Sequence, residues 1–230
     1  MLEELKKEVL NANKELQTSN LVVLTWGNVS GRDPKSGLIV IKASGVEYGT
    51  MTEEDLVVVD PEGKIVEGDK HPSTDLETHL ELYKNFKNVN GIVHTHSHFA
   101  VIWAQMKESI PCYGTTHVDY FPGPVPVTRE MTKEEIEGEF EKNTGKVILE
   151  TFQDIDPDVM RAVLVCNHGP FVWGKSASDA LHNAIVLENV AKLDYFTKIG
   201  GDGSKLGVSQ PLLKRHYDRK FGENAYYGQE

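Results

Sequence analysis

Residues 91–99 read Gly91-Ile92-Val93-His94-Thr95-His96-Ser97-His98-Phe99, an apolar start followed by histidines at alternate positions. The run predicts a strand over 91–99, and the apolar residues that follow predict a helix over 100–106. Side chains two residues apart on a strand point to the same face, so we expect His94 and His96 to lie side by side. Two polar rings on an apolar strand are costly to bury, which favours metal ligands over ordinary core histidines.

Short strands and helices alternate on both sides of this stretch, a pattern typical of a layered α/β domain. Apolar runs predict strands over 21–25, 38–41, 56–59, 65–66 and 162–166. Helical periodicity predicts helices over 1–16, 133–142, 177–199 and 212–221. Another helix is predicted to open at 72–75, where Thr74 and Glu77 have the spacing of a capping box. No repeat or linker divides the chain, so we expect a single domain over 1–230.

The composition excludes several functional classes. The chain has 230 residues and a formal net charge of −11, and it contains no basic run. We therefore expect no nucleic-acid partner, because proteins that track phosphates need local positive charge. No apolar run approaches the ~18 residues of a membrane span, and the charged N-terminus lacks a signal-peptide core. Two lone cysteines, Cys112 and Cys166, form no CxxC pair, so we expect a reduced, cytoplasmic protein without membrane association.

A third histidine and a carboxylate complete a candidate metal site. His168 stands where the predicted strand 162–166 runs into a turn, and strand ends are where α/β sheets collect ligand sites. Asp75 lies in the first turn of its helix and offers an oxygen. Three imidazoles and one oxygen suit a borderline divalent ion such as Zn²⁺. His98 shares the face of His94 and His96 but lies past the usable end of the strand, so we do not expect it to be a ligand.

The stretch Gly169–Ser176 matches the phosphate-binding pattern GxxxxGK[ST] letter by letter. A phosphate cradle needs compact residues whose amide groups curl around the anion, but this stretch contains Pro170, Phe171 and Trp173. Pro170 also has no amide hydrogen to donate. We therefore interpret the match as accidental and Lys175 as an exposed residue ahead of a helix.

Three other segments suit a small phosphate group. They are the tight loop Gly27–Asn28, the strand end Lys42–Gly45 and the helix start Ser73–Thr74. Free amide groups and the positive end of a helix dipole favour an anion at such places. The alternative is that Ser73 and Thr74 only cap the helix.

Seven motifs follow one another along nearly the whole chain: Thr25–Ser30, Ile41–Val46, Pro72–Asp75, His94–His96, Gly114–Tyr120, His168–Phe171 and Ala225–Gly228. Together they resemble the L-ribulose-5-phosphate 4-epimerase family of the class II aldolase/adducin superfamily. The resemblance implies an α/β fold with a single three-layer α/β/α domain and a central, mostly antiparallel sheet. It also implies a homotetramer whose active sites lie between subunits.

The resemblance assigns roles to individual residues. The metal ligands would be Asp75, His94, His96 and His168. The residues that hold the phosphate would be Gly27, Asn28, Lys42, Ser44, Gly45, Ser73 and Thr74. Asp119 and Tyr227 of a neighbouring subunit would be the acid–base pair. Thr74 stands where the family more commonly has Ser, and its side chain retains the hydroxyl group. The resemblance assigns no role to His71 or His98.

The implied activity is a metal-dependent interconversion of L-ribulose 5-phosphate and D-xylulose 5-phosphate by cleavage and re-formation of C3–C4, in arabinose catabolism. Zn²⁺ is the expected metal, with Mn²⁺ or Co²⁺ as alternatives. A second reading is an aldolase acting on fuculose or rhamnulose phosphate, but those relatives carry Glu where this chain has Asp75. A third is a scaffold like the adducin head, which lacks the metal site that this chain keeps.

Overall fold

A seven-stranded antiparallel sheet forms the centre of the chain in a computed structural model that describes residues 2–201, 207–223 and 225–226. The strands are β1 (Asn28–Arg32), β2 (Ile39–Lys42), β3 (Leu56–Val59), β4 (Ile65–Glu67), β5 (Gly91–His94), β6 (Ala162–Val165) and β7 (Gly169–Gly174). Their order across the sheet is β4-β3-β2-β1-β5-β7-β6. Strands distant in sequence therefore become neighbours at the centre, where β1 pairs with β5 and β5 with β7.

Helices cover both faces of the sheet. They are α1 (Glu3–Thr18), α2 (Leu76–Asn85), α3 (His98–Met106), α4 (Thr115–Val118), α5 (Lys133–Glu137), α6 (Phe140–Thr151), α7 (Ala177–Gly200) and α8 (Gln210–Phe221). On one face α1 packs over β1, where Gly31 leaves room for Leu5 and Val9. On the same face α7 lies beside α1, and α3 packs against α7. On the other face lie α2 and α6, packed against each other. This arrangement confirms the predicted three-layer α/β/α fold.

Burial between two helical layers explains the composition of the strands. All residues of β2, β3, β5, β6 and β7 are buried, and strands covered on both faces read as continuous apolar runs rather than alternating ones. The edge strand β4 is largely exposed. Within the described ranges, none of the helices has the length and apolar character needed to cross a membrane.

A polar network joins β1 to α2 inside the core. The Ser30 hydroxyl lies 2.7 Å from Nδ1 of His79 and 2.8 Å from the Tyr83 hydroxyl. Burial lowers the pKa of His79 to about 3, so this ring is neutral at pH 7. The edge of the His79 ring points at the Phe171 ring, with the centroids 5.9 Å apart. His79 is therefore a core histidine whose hydroxyl partner anchors α2 to the centre of the sheet.

Several predicted element boundaries are wrong. Residues 21–27 form a loop instead of a strand; Leu24 and Gly27 have φ values of 54° and 83°, which no strand accommodates. The strand predicted over 91–99 ends at His94, and α3 begins at His98. The helix predicted over 133–142 is two helices, because the chain leaves helical geometry at Gly138.

The segment that matches the phosphate-binding pattern is not a loop. Residues 169–174 form β7, which is fully buried and hydrogen-bonded to β5 on one side and β6 on the other. Lys175 is exposed at its end. A strand paired on both sides has no free amide groups to curl around an anion, so the structure confirms that the match is accidental.

Candidate metal centre and anion pocket

Three histidines meet at one end of the sheet. His94 ends β5, His96 follows two residues later, and His168 precedes β7, the antiparallel partner of β5. One ring nitrogen from each lies within 4.8 Å of the others, and the Nε2 atoms of His94 and His96 are 3.1 Å apart. The structure thus brings together the three predicted imidazole ligands, although His96 reaches the cluster from a loop and not from the strand.

The surroundings of the rings fit a divalent cation. Nδ1 of His94 donates to the Pro170 carbonyl oxygen at 2.9 Å, which leaves the Nε2 lone pair facing the other two rings. Burial lowers the pKa of His168 to about 4, and burial together with the charge of His94 lowers the pKa of His96. His96 and His168 are therefore neutral at pH 7, the form of imidazole that binds metal. Nδ1 of His168 is buried and has no partner in the part of the chain that the structure describes.

Asp75 faces the same space but is not a member of the three-histidine cluster. Its Oδ2 accepts a hydrogen bond of 2.7 Å from Nδ2 of Asn28, which also donates to Oγ of Ser73 at 2.9 Å. Burial by itself would raise the pKa of Asp75, but His94, His79 and the Asn28 bond outweigh it and hold the pKa below its usual value. Asp75 is thus an ionised carboxylate beside the histidine cluster.

A pocket of about 390 Å³, which we call the site pocket, opens above these residues. Six of the seven residues predicted to hold phosphate line it together with Asp75 and the three histidines: Gly27, Lys42, Ser44, Gly45, Ser73 and Thr74. The seventh, Asn28, lies just beneath and is bonded to Asp75 and Ser73. The predicted metal and phosphate residues therefore form one continuous wall.

Lys42 supplies the positive charge of this wall. Its side chain is buried, and its ammonium group lies 5.0 Å from the centre of the Tyr48 ring and 3.3 Å from the Ala43 carbonyl oxygen. No salt bridge joins Lys42 to a carboxylate of residues 2–201, 207–223 or 225–226. Burial lowers its pKa, since a desolvated cation without a paired carboxylate is destabilised. An anion in the site pocket would compensate this charge.

Gly27 brings the backbone close to the histidine cluster. It has a φ of +83°, and a Cβ atom there would lie 2.7 Å from the His94 carbonyl oxygen. No other residue type fits both the conformation and the contact. The sequence predicted a tight loop at this point, and the structure shows that Asn28, the next residue, already begins β1.

The capping box predicted for α2 is wrong. The residue at the N-cap is Asp75, not Thr74, and the helix begins at Leu76. Thr74 is exposed in the site pocket, and the Ser73 hydroxyl accepts from Asn28. Thr74 therefore does not cap α2, contrary to the alternative reading of this segment.

Asp119, one of the two predicted acid–base residues, stands apart from this pocket. Asp119 follows α4 and is bound to α8, with one carboxylate oxygen 2.8 Å from Nδ1 of His216 and both oxygens bonded to the Arg219 guanidinium. It does not line the site pocket of its own chain among the residues described. Tyr227 lies outside the described residues.

Sequence analysis gave no role to two residues of α6 that line the site pocket or to two residues of α8 that bind Asp119. Phe140 and Glu141 of α6 line the site pocket, whereas His216 and Arg219 hold Asp119. Glu141 gave no signal because it is one of many acids in a charged segment. His216 and Arg219 lie about 100 positions from Asp119 in a helix rich in cations, so only the tertiary structure pairs them.

A larger cavity, of about 760 Å³, lies elsewhere and contains none of the predicted site residues. Arg32 is a half-buried cation of this cavity, and its guanidinium donates to the carbonyl oxygens of Tyr83, Lys87 and Val89 at and just after the end of α2. With the bond from Nε to the Asn90 side chain, four of its five N–H groups are engaged in this segment. We therefore interpret Arg32 as the cap of a helix end and place the chemistry in the smaller pocket.

Replacing Asn28 by alanine is expected to weaken both phosphate binding and metal binding. The change removes the donor to Asp75 and to Ser73, and loss of a residue that orients a metal ligand typically costs about 10–100-fold in metal affinity. Metal titration and titration with inorganic phosphate measure the two effects. In the C3–C4 cleavage that the family resemblance implies, the phosphate-bearing fragment should also escape; unchanged affinities without a leaked fragment would contradict the assignment.

The comparisons with known proteins agree with this geometry. The family model described as Class II Aldolase and Adducin N-terminal domain matches residues 7–195. Curated relatives from Salmonella paratyphi C and Salmonella choleraesuis, both named L-ribulose-5-phosphate 4-epimerase UlaF, are 49% identical over 229 residues, with 100% of each chain covered. A solved L-fuculose 1-phosphate aldolase superposes with a TM-score of 0.80 at 25% identity, covering 95% of this chain and 97% of that one. YgbL from Klebsiella pneumoniae, described as a putative aldolase/epimerase/decarboxylase, gives a TM-score of 0.72 at 23% identity, with 93% and 97% covered.

Proposed function

Because the chain belongs to the class II aldolase and adducin family, we propose that it interconverts L-ribulose 5-phosphate and D-xylulose 5-phosphate. The relatives at 49% identity carry the name of this activity. The observation that carries the proposal is the site pocket itself, where a three-histidine cluster and Asp75 share one wall with the buried Lys42. Such a pocket suits a small molecule with oxygen atoms at one end and a phosphate at the other.

The proposed reaction cleaves and re-forms the C3–C4 bond. The hydrogen on C4 is not next to the C2 carbonyl, so its direct removal as a proton would leave an unstabilised carbanion. Cleavage between C3 and C4 instead gives an enediolate and glycolaldehyde phosphate. Rotation of the aldehyde before the bond re-forms inverts C4.

The proposed cofactor is a divalent cation held by His94, His96, His168 and Asp75. When bound, it supplies a Lewis acid that stabilises the negative charge developing on the C2 and C3 oxygen atoms. Zn²⁺ suits three imidazoles and one carboxylate best, and Mn²⁺ or Co²⁺ suit the same ligands. The fixed tautomer of His94 and the ionised Asp75 support this assignment.

The phosphate site keeps the cleaved fragment in place. Lys42 provides a buried cation, and Ser44, Gly45, Ser73 and Thr74 line the pocket beside it. A tethered aldehyde remains at high effective molarity while it turns, so re-formation of the bond competes with escape. Asn28 has a second role, because it donates hydrogen bonds both to Asp75, a proposed metal ligand, and to Ser73, a proposed phosphate ligand. It thereby fixes the position of the metal ligand relative to the phosphate site.

We infer that Asp119 and Tyr227 of a neighbouring subunit provide the two proton-handling groups, one for each face of the aldehyde. This requires a homotetramer with active sites between subunits. The position of Asp119 supports it, since Asp119 is held by α8 and does not line the site pocket of its own chain among the described residues. The same activity would serve the catabolism of arabinose.

A second candidate is an aldolase acting on a deoxyketose 1-phosphate. The structural similarity to an L-fuculose 1-phosphate aldolase favours it. The residue at position 75 favours the epimerase, because the shorter carboxylate of Asp75 is bonded to Asn28, whereas the aldolases carry a longer Glu there that can act as a base.

The test is to incubate the protein, reconstituted with Zn²⁺ or Mn²⁺, with L-ribulose 5-phosphate and to follow D-xylulose 5-phosphate. L-Fuculose 1-phosphate serves as the parallel substrate. We expect epimer from the first and no net cleavage of the second. Cleavage of L-fuculose 1-phosphate without any epimerisation would establish the aldolase instead.

A further inference from the structure

Tyr48 is a fully buried tyrosine that lies behind the site pocket without lining it. Its hydroxyl lies 2.9 Å from the carbonyl oxygen of Trp26 and 2.7 Å from that of Gly27. Its ring faces the ammonium group of Lys42, 5.0 Å from the ring centre. One side chain thus contacts two separate parts of the pocket wall, the loop before β1 and the end of β2.

The single hydrogen of the hydroxyl is shared between the carbonyl oxygens of Trp26 and Gly27, and it restrains the peptide groups on both sides of Gly27. In a trans peptide the N–H group points opposite to the carbonyl group of the same plane. Because the Trp26 carbonyl oxygen faces Tyr48, the Gly27 N–H points away from Tyr48. Gly27 itself lines the site pocket, and its N–H has no acceptor in the portion of the chain that the structure describes. The bond to Tyr48 therefore leaves this amide free to donate to an anion.

The aromatic ring of Tyr48 stabilises the Lys42 ammonium group. The Lys42 ammonium is buried, and among the residues that the structure describes it has one weak acceptor, the Ala43 carbonyl oxygen at 3.3 Å. The face of an aromatic ring attracts a cation, most strongly where both are desolvated. The Tyr48 ring therefore offsets part of the cost of keeping Lys42 charged while the pocket is empty of anions.

We propose that Tyr48 is a positioning residue for the anion site, with its hydroxyl aiming the Gly27 amide and its ring holding the Lys42 ammonium. The inference rests on the proposed function only in that the anion is the phosphate of the substrate. Inorganic phosphate is a sufficient probe, so the inference can be tested without the epimerase reaction.

The first test compares Tyr48→Phe with Tyr83→Phe by calorimetric titration with inorganic phosphate, using the intact metal-loaded protein. Both tyrosines are buried and both hydroxyls are hydrogen-bonded, Tyr83 to Ser30 in the core, so both changes cost stability. We expect Tyr48→Phe to weaken phosphate binding about tenfold. Without the hydroxyl the Gly27 amide is no longer oriented, and the loss of its hydrogen bond to the charged phosphate has an effect of this size. Tyr83→Phe should change phosphate affinity less than about twofold, since neither Tyr83 nor its partner Ser30 lines the site pocket. Equal effects of the two variants, or none from Tyr48→Phe, would overturn the proposal.

The second test needs no substitution. The sequence contains two Trp-Gly pairs, Trp26-Gly27 and Trp173-Gly174, so labelling Trp with ¹³C at the carbonyl and Gly with ¹⁵N isolates the amide signals of Gly27 and Gly174 alone. Addition of inorganic phosphate should move the Gly27 amide proton signal downfield and leave Gly174, in the buried β7, unchanged. A Gly27 signal that does not move at saturating phosphate would contradict the role of the amide, and with it the proposal.

The outcomes separate this inference from the proposed reaction. A protein that binds phosphate as described but does not form D-xylulose 5-phosphate would retain the positioning role of Tyr48 and lose the epimerase assignment. A protein that epimerises while Tyr48→Phe behaves like Tyr83→Phe would retain the reaction and lose the positioning role.

Discussion

Replacing His96 by asparagine is expected to remove the bound metal and nearly all turnover while the chain stays folded. His96 contributes one of three clustered ring nitrogens, and its Nε2 lies 3.1 Å from that of His94. The remaining ligands cannot hold a divalent ion tightly, because each ligand contributes a large share of the binding free energy. The His96 side chain is only half-buried in a loop, so its loss costs the core little. Metal analysis, turnover and circular dichroism measure the three parts of this expectation.

The matched control is His98→Asn. His98 belongs to the same histidine-rich stretch but is exposed at the start of α3 and lies outside the cluster. We expect this variant to keep its metal and its activity. Full metal occupancy with normal turnover in His96→Asn would show that the cluster is not the metal site.

Replacing Tyr227 by phenylalanine is expected to lower turnover by about 10²–10⁴-fold, the usual contribution of a general acid or base. By composition alone, the polar, Gly-containing stretch 222–230 would be expected to tolerate Tyr227→Phe with almost no effect. If Tyr227 handles a proton in the site of a neighbouring subunit, only turnover falls, while metal content, melting temperature and assembly remain near wild type. The control is Tyr226→Phe, which alters the adjacent, exposed tyrosine and should leave turnover unchanged.

Mixed oligomers test the proposed sharing of the site between subunits. His96→Asn subunits are expected to lack the metal and Tyr227→Phe subunits lack the hydroxyl, so each variant alone should have little activity. In mixed assemblies of the proposed tetramer, some sites would receive an intact histidine cluster from one chain and an intact tyrosine from the next, and activity should partly return. Mixtures that exchange subunits and stay inactive would mean that Tyr227 serves its own chain or has no catalytic role.

The sequence predicted the architecture well because local patterns carry it. Continuous apolar runs such as 56–59 and 162–166 became buried strands, and the helical periodicity of 177–199 became α7. The resemblance to L-ribulose-5-phosphate 4-epimerases is confirmed by the full-length identity to curated relatives. The proximity of His94, His96 and His168 also emerged as expected.

The errors arise where tertiary contacts override local preference. Residues 21–25 are apolar enough for a strand, yet Leu24 adopts a left-handed conformation, and three residues later Gly27 lies close to the His94 carbonyl oxygen. Asn28 looked like a loop residue near a phosphate, but it is the first residue of β1 and bonds to Asp75. Contacts between residues as far apart in sequence as Asn28 and Asp75 leave no periodic signal, so residue spacing alone cannot reveal them.

The most direct test of the proposed C3–C4 cleavage is to run the reaction in D₂O and to examine C4 of the pentulose phosphate by NMR. During cleavage the C4 hydrogen remains attached to the aldehyde carbon of glycolaldehyde phosphate, so it never exchanges with solvent. We predict that D-xylulose 5-phosphate forms with protium retained at C4. Epimer carrying deuterium at C4, or no epimer from the metal-loaded protein, would contradict the account.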